Sequence, residues 1–99
     1  MNTRAFGSGR PVSLFTLGTM RALNSAAQMA EVLDAAAAAG INHLETAPAY
    51  GPAERFLGEA LRQNTRTVSD HWVITSKLLP GLRFEEGQRR LDQILERLG

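Results

Sequence analysis

Three short segments, residues 14–18 (LFTLG), 41–45 (INHLE) and 72–77 (WVITSK), each precede a stretch whose apolar residues return at helical spacing. Strands that alternate with helices predict a parallel sheet covered by those helices. Right-handed crossovers place all three helices on one face, so the other face and both edges of a three-stranded sheet stay open. Either the chain self-associates to cover them, or the three units are the first part of a larger barrel.

The elements can be placed from local signals. Residues 4–13 (RAFGSGRPVS) read as a hairpin around Gly-Ser-Gly, with Pro11 in a place that suits only an edge strand. Residues 14–18 form a brief apolar run closed by Gly18 and read as a buried strand. Ser25 followed by Gln28 matches a capping box, Met29, Val32, Leu33, Ala36 and Ala37 give one helical stripe, and Gly40 fits a left-handed C-cap. After the second strand, Pro52 suits the first position of a helix, with Glu54 in its positive first turn and Phe56, Leu57, Ala60 and Leu61 as its stripe. A polar loop between Gln63 and His71 leads to the third strand. Pro80 and Gly81 break the chain there, and a last helix carries Phe84, Leu91, Ile94, Leu95 and Leu98 on one face, with a poor start and Gly87 inside it.

Composition removes several classes of function. Ninety-nine residues, 43% of them apolar, form one small domain at most. A net charge of +1 leaves no overall field to draw the chain onto nucleic acid or an anionic membrane. The longest apolar run, residues 35–39, is far below the ~20 residues of a membrane helix, so the chain reads as soluble. With no cysteine, disulfides, thiolate metal sites and cysteine nucleophiles drop out, which is compatible with a cytoplasmic location. Arg4, Arg10 and Arg21 without any acid in the first thirty residues hint at a transit peptide, but Gly7, Gly9 and Pro11 break the amphipathic helix such peptides use.

In strand-helix architectures the active site gathers at the C-terminal ends of the strands. Thr19 and Met20 follow the first strand, Glu45 and Tyr50 the second, and Ser76 and Lys77 end the third. Strand alternation puts Glu45 on the face opposite Leu44, and Lys77 shares a face with Thr75 and Val73. If the helices cover Leu44 and Ile74, Glu45 and Lys77 point to the other side at one end of adjacent strands, within ion-pair reach. A lysine beside a tyrosine lowers the cost of the phenolate, and a carboxylate keeps the lysine charged and oriented. Such a phenol can donate a proton to a carbonyl oxygen at neutral pH. On residue type and position alone, a structural salt bridge and a packed tyrosine ring account for the same residues. His43 sits two residues before Glu45, about 7 Å deeper in the sheet, and reads as a satisfied interior histidine. His71 lies at the wrong end of its strand for a role, Arg89 and Arg90 read as a solvated face, and no metal-ligand spacing is present.

FTLGTM, GINHLETAPAYGPAERFLGEAL and WVITSKL, in that order and spacing, resemble the N-terminal third of the aldo-keto reductases. The resemblance covers nearly the whole chain. It implies an N-terminal fragment of a (β/α)8 TIM barrel, about three of eight units over residues 1–99, opened by a hairpin that closes the barrel bottom. It also implies reduction of an aldehyde or ketone with NADPH on a small-molecule carbonyl substrate. Tyr50 inherits the role of general acid, and Lys77 that of the lysine that lowers the tyrosine's pKa. Gly18, Thr19 and Met20 fall where the family's turn contacts the nicotinamide ribose. The family's segment D-T-A-x-x-Y-G has an aspartate that touches both the lysine and that ribose; this chain has Glu45 there, one methylene longer with its charge retained.

The family's histidine at the end of the fourth strand, and the residues that hold the NADP phosphate, fall beyond Gly99 on this resemblance. The expectation is therefore a carbonyl reductase lineage in an incomplete chain, with the 99 residues alone inactive, unstable as a monomer and prone to self-association. The alternative expectation is a non-catalytic nucleotide-sensing or protein-interaction module of the same fold, with Glu45 marking relaxed demands on the site.

Overall fold

The computed structural model describes residues 1–63 and 71–99. Strands β1 (Thr3–Arg4) and β2 (Val12–Ser13) form an antiparallel hairpin, with Thr3 opposite Ser13. Strands β3 (Leu17–Gly18), β4 (His43–Glu45) and β5 (Val73–Thr75) form a parallel sheet in the order β3-β4-β5. Helices α1 (Ala26–Ala38), α2 (Ala53–Gln63) and α3 (Phe84–Leu98) follow the three strands in turn. The expected fold class, a hairpin and then parallel βα units, is the fold observed. The loop expected between Gln63 and His71 lies outside the described residues.

The helix ends show why the order is what it is. The Gln28 amide donates to Ser25 Oγ (3.1 Å), which caps α1 at its start. At its end Gly40 takes φ +87°, its amide donates to the Ala37 carbonyl, and the Ile41 amide donates to the Ala36 carbonyl. That Schellman arrangement satisfies the last turn of α1 and delivers Ile41 against the core at the start of β4. Pro52 sits one residue ahead of α2, not inside it, and its carbonyl accepts from the Phe56 amide (2.9 Å). Arg83 precedes α3 without a side-chain cap, as its sequence predicts.

The core lies between one sheet face and the helices. Leu44 of β4 is fully buried among Met29, Leu33 and Ala36 of α1, Leu57 and Ala60 of α2, and Trp72. Each helix packs on the next, α1 on α2 and α2 on α3. Fully burying side chains of the Leu57 class contributes about 1.5–3 kcal/mol each, so these few residues carry most of the cohesion. The third helix is less well covered than its stripe implies. Ile94 is buried, but Leu91, Leu95 and Phe84 are exposed.

A second expectation fails at the first strand. Residues 14–16 are not part of it, and Leu14 and Phe15 face solvent. Ser13 Oγ donates to the Phe15 carbonyl and the Leu14 amide to the Asn2 carbonyl, so this stretch bends with the hairpin and only Leu17–Gly18 enters the sheet. The hairpin itself is anchored to the N-terminal ends of the strands. Ser13 and Asn42 exchange two hydrogen bonds, Ser13 amide to Asn42 Oδ1 (2.7 Å) and Asn42 amide to Ser13 Oγ (3.1 Å), and the Arg10 guanidinium donates through Nη2 to the Trp72 carbonyl (3.1 Å). The opposite, C-terminal ends are thereby left open. Among the described residues no helix is long and apolar enough to cross a membrane.

Candidate active site

Parallel pairing sets Gly18 beside Glu45 and Glu45 beside Thr75, so the three strands end at one level. The backbone ladder continues briefly past that level, with the Thr19 amide donating to the Glu45 carbonyl (3.0 Å) and the Thr46 amide to the Thr75 carbonyl (2.9 Å). The chain then turns. The Tyr50 amide donates to the Ala47 carbonyl and the Ala53 amide to the Tyr50 carbonyl, both at 3.1 Å. These two bonds hold Tyr50 on the turn that leads into α2.

Glu45, Tyr50 and Lys77 come together there. Lys77 Nζ donates to Glu45 Oε1 (2.7 Å), the Thr46 carbonyl (3.0 Å) and the Tyr50 hydroxyl (3.1 Å). An ammonium group has three protons, so each has an acceptor and the lysine is held in one position. It also lies 4.7 Å from the centroid of the Tyr50 ring. The phenol oxygen accepts from Lys77.

The electrostatics follow from these contacts. The hydrogen bond from Lys77 is the main cause that holds the Glu45 carboxyl below its ordinary 4.5; partial burial opposes it, and the Tyr50 hydroxyl and the charges of Lys77 and His43 reinforce it. Glu45, then Tyr50, raise the Lys77 ammonium above its ordinary 10.5, against a desolvation penalty. Both members are ionised across the physiological range.

The other residues singled out in the sequence divide into two groups. Gly18 and Met20 are exposed at the rim, and no heavy atom lies within 4 Å of the place a Cβ on Gly18 would take. Thr19 is 1% exposed, and its hydroxyl donates to Thr46 Oγ1 (2.8 Å). Its side chain therefore holds the turn after β4 and does not face the open end. His43 is satisfied on both nitrogens, Nδ1 with Thr16 Oγ1 (3.0 Å) and Nε2 with Thr75 Oγ1 (2.8 Å), and its ring lies tilted against Phe6, centroids 5.1 Å apart. His71 bonds the Ile41 carbonyl through Nε2 (2.9 Å), far from the site. Among the described residues no group of three or more His, Cys, Asp or Glu is placed to hold a metal ion.

Two contributors escape a reading of the sequence. Thr46 acts through its backbone carbonyl, which no residue type announces. Glu54 is 3% exposed, not a solvated first-turn acid, and it bonds Ser76 and Arg97. Its signal was present: Glu54, Leu57, Gly58 and Leu61 share one helical face, so the carboxylate lies on the stripe that packs inward.

No curated protein matches the chain. Two solved structures from Pseudomonas aeruginosa, both assigned as aldo-keto reductases, superpose on 97% of the chain, one at 35% identity and TM-score 0.80, the other at 33% and 0.83. In each case the chain spans 41% of the matched structure. The hairpin and the three βα units thus match part of a TIM barrel. The profile of the aldo/keto reductase family covers residues 14–99, from the bend before β3 through all three units, and the chain belongs to that family.

Proposed function

We propose that these residues carry the proton-delivery side of an NADPH-dependent carbonyl reductase, with Tyr50 as the general acid toward an aldehyde or ketone. The observation that carries the reading is the placement of Lys77 Nζ, 3.1 Å from the Tyr50 hydroxyl and 2.7 Å from Glu45. As negative charge develops on a carbonyl oxygen, Tyr50 passes its proton to that oxygen, and the adjacent ammonium stabilises the phenolate left behind. Glu45 keeps Lys77 charged and aimed. Its family generally uses a reduced nicotinamide, which supplies hydride to the carbonyl carbon when bound.

The residues present fit such a cofactor. The space above Gly18 is open, Met20 is exposed beside it, and the Glu45 carboxylate lies in register with Gly18, where a ribose hydroxyl can donate to it. Gly18, Met20 and Glu45 are accordingly assigned to the nicotinamide ribose, with the buried Thr19 holding the turn beneath them, and the preference for NADPH over NADH is part of the same proposal. A cytoplasmic location is part of the same proposal, and the absence of cysteine is compatible with it. The non-catalytic alternative rested on Glu45 standing in for aspartate; since Glu45 reaches Lys77 at 2.7 Å, no observation favours that alternative.

The test is a complete barrel carrying these residues. Tyr50→Phe keeps the ring and removes the proton, and is expected to lower aldehyde reduction by about 10²- to 10⁴-fold while leaving NADPH fluorescence titration unchanged. Reduction unaffected by Tyr50→Phe rejects the assignment.

A further inference from the structure

Glu54 is a charged group in the interior, and such burial costs several kcal/mol unless the group is paired and fully hydrogen-bonded. It is both. Oε1 accepts from Arg97 Nε (2.9 Å) and lies 2.9 Å from the second guanidinium nitrogen, while Oε2 accepts from Ser76 Oγ (3.1 Å). One carboxylate thus joins the start of α2, the end of β5 and the end of α3.

Its position in the chain gives that junction a second meaning. Tyr50 stands four residues before Glu54, on a turn bonded to the start of α2 through the Ala53 amide. Lys77 directly follows Ser76. The bond from Ser76 to Glu54 therefore spans the two segments that carry the proposed acid and its lysine, on the inward side of the pair. The direct contact between them, Lys77 Nζ to the Tyr50 hydroxyl, lies on the exposed side at the end of a long lysine stem, so where the ammonium reaches depends on where its backbone is set. Past Thr75 the chain leaves the sheet, so the Ser76 bond is the anchor between the last strand residue and Lys77.

The brace is itself held rigidly. One turn beyond Glu54, a Cβ on Gly58 would run into the Arg97 carbonyl, so α2 and α3 approach backbone to backbone where Arg97 reaches the carboxylate. Arg62 donates to the same carbonyl (3.4 Å). Arg97 has little room to move away from Glu54.

We infer that Glu54, acting through Ser76, is a positioning residue that fixes Lys77 on Tyr50 and Glu45. The inference deepens the proposed reductase function and rests on it for its meaning, but its test needs no turnover. The readout is the titration of the Glu45 carboxyl carbon by NMR in the full chain, because that group faces Lys77, Tyr50 and His43 and responds first to the Lys77 hydrogen bond.

Ser76→Ala removes the link to Lys77 and leaves the Glu54–Arg97 pair in place. The Glu45 midpoint is expected to rise toward its ordinary value in this variant, and to return to the lowered value in Ser76→Thr, which restores a hydroxyl. Ile94→Val, which loosens α3 without touching the brace, is expected to lower the thermal midpoint and leave the Glu45 titration unmoved. A Glu45 midpoint in folded Ser76→Ala equal to that of the parent chain overturns the inference; so does an equal rise in Ile94→Val, which would make the effect one of general loosening. Loss of the proposed reductase activity is read separately, through Tyr50→Phe, so failure of either idea leaves the other standing.

Discussion

Glu45 has one more methylene than the aspartate that the family resemblance places at its position, yet its carboxylate meets Lys77 at 2.7 Å. Pairing explains how: Glu45 is the last residue of β4, and Lys77 stands two residues beyond its partner Thr75, so a longer acid and a flexible lysine close the remaining gap. The pair also sets a pH window. A carboxyl held below its ordinary value stabilises the fold above 4.5, and that contribution is lost as pH falls through the lowered folded value. A lysine held above its ordinary value stabilises below 10.5 and loses its contribution as pH rises through the raised folded value. The two contributions coexist between about 4.5 and 10.5, and both groups are partly exposed, so the effect is small and salt-sensitive. Lys77→Met is expected to raise the Glu45 midpoint toward its ordinary value, and two-dimensional carbon-detected titration checks it; a Glu45 midpoint indifferent to Lys77→Met removes the pair from the electrostatics of the site. Residue type and strand alternation made this pair legible beforehand. The role of Thr46 was not, because a backbone carbonyl carries no residue-type signal.

The helices show where sequence patterns stop being informative. Ser25 and Gly40 announce the ends of α1 because capping is local chemistry, decided within four residues. The stripe of α2 announces its buried face for the same reason. The partner of that face is a long-range fact, and so Glu54 reads as a helix-start acid when its counter-ion lies 43 residues away in α3. Strand lengths suffer in the same way: residues 14–16 have the composition of a strand but bend toward the hairpin through Ser13 and Asn2. Gly58 is the sharpest element-scale case. In an isolated helix Gly58→Ala gains roughly 1 kcal/mol of helix propensity. Here the added methyl meets the Arg97 carbonyl, and overpacking against backbone costs about 3 kcal/mol at the upper end of its usual range. Steric cost exceeds propensity, so we expect Gly58→Ala to destabilise by about 2 kcal/mol. Urea unfolding followed by Trp72 fluorescence measures it; a neutral or stabilising result means that α2 and α3 can separate at no cost.

At the scale of the whole molecule, alternation of strand and helix is enough to predict a parallel sheet, and the sheet is enough to predict open edges. Among the described residues β3 and β5 each pair only with β4, which leaves one edge of both unpaired. Beside the β5 edge runs a groove of about 680 Å³, whose lining includes Trp72, Ile74, Leu91, Ile94, Leu95 and Leu98 together with Arg62, Ser76 and Lys77, and the buried Trp72 indole N–H has no hydrogen-bond partner among the described residues. Phe15, Leu79, Leu95 and Phe84 are all more than half exposed. Apolar surface of this extent next to unpaired strand edges is the arrangement that drives chains to associate. The 99 residues in isolation are therefore expected to sediment as a concentration-dependent mixture of oligomers with a broad thermal transition. Adding charge at the groove through Leu95→Lys, on the exposed face of α3, should shift the mixture toward smaller species without loss of helical signal. Sedimentation velocity across a tenfold range of concentration decides the matter. A monodisperse monomer with a sharp two-state transition shows instead that three units hold themselves together, and that the open face and edges cost far less than their exposure implies.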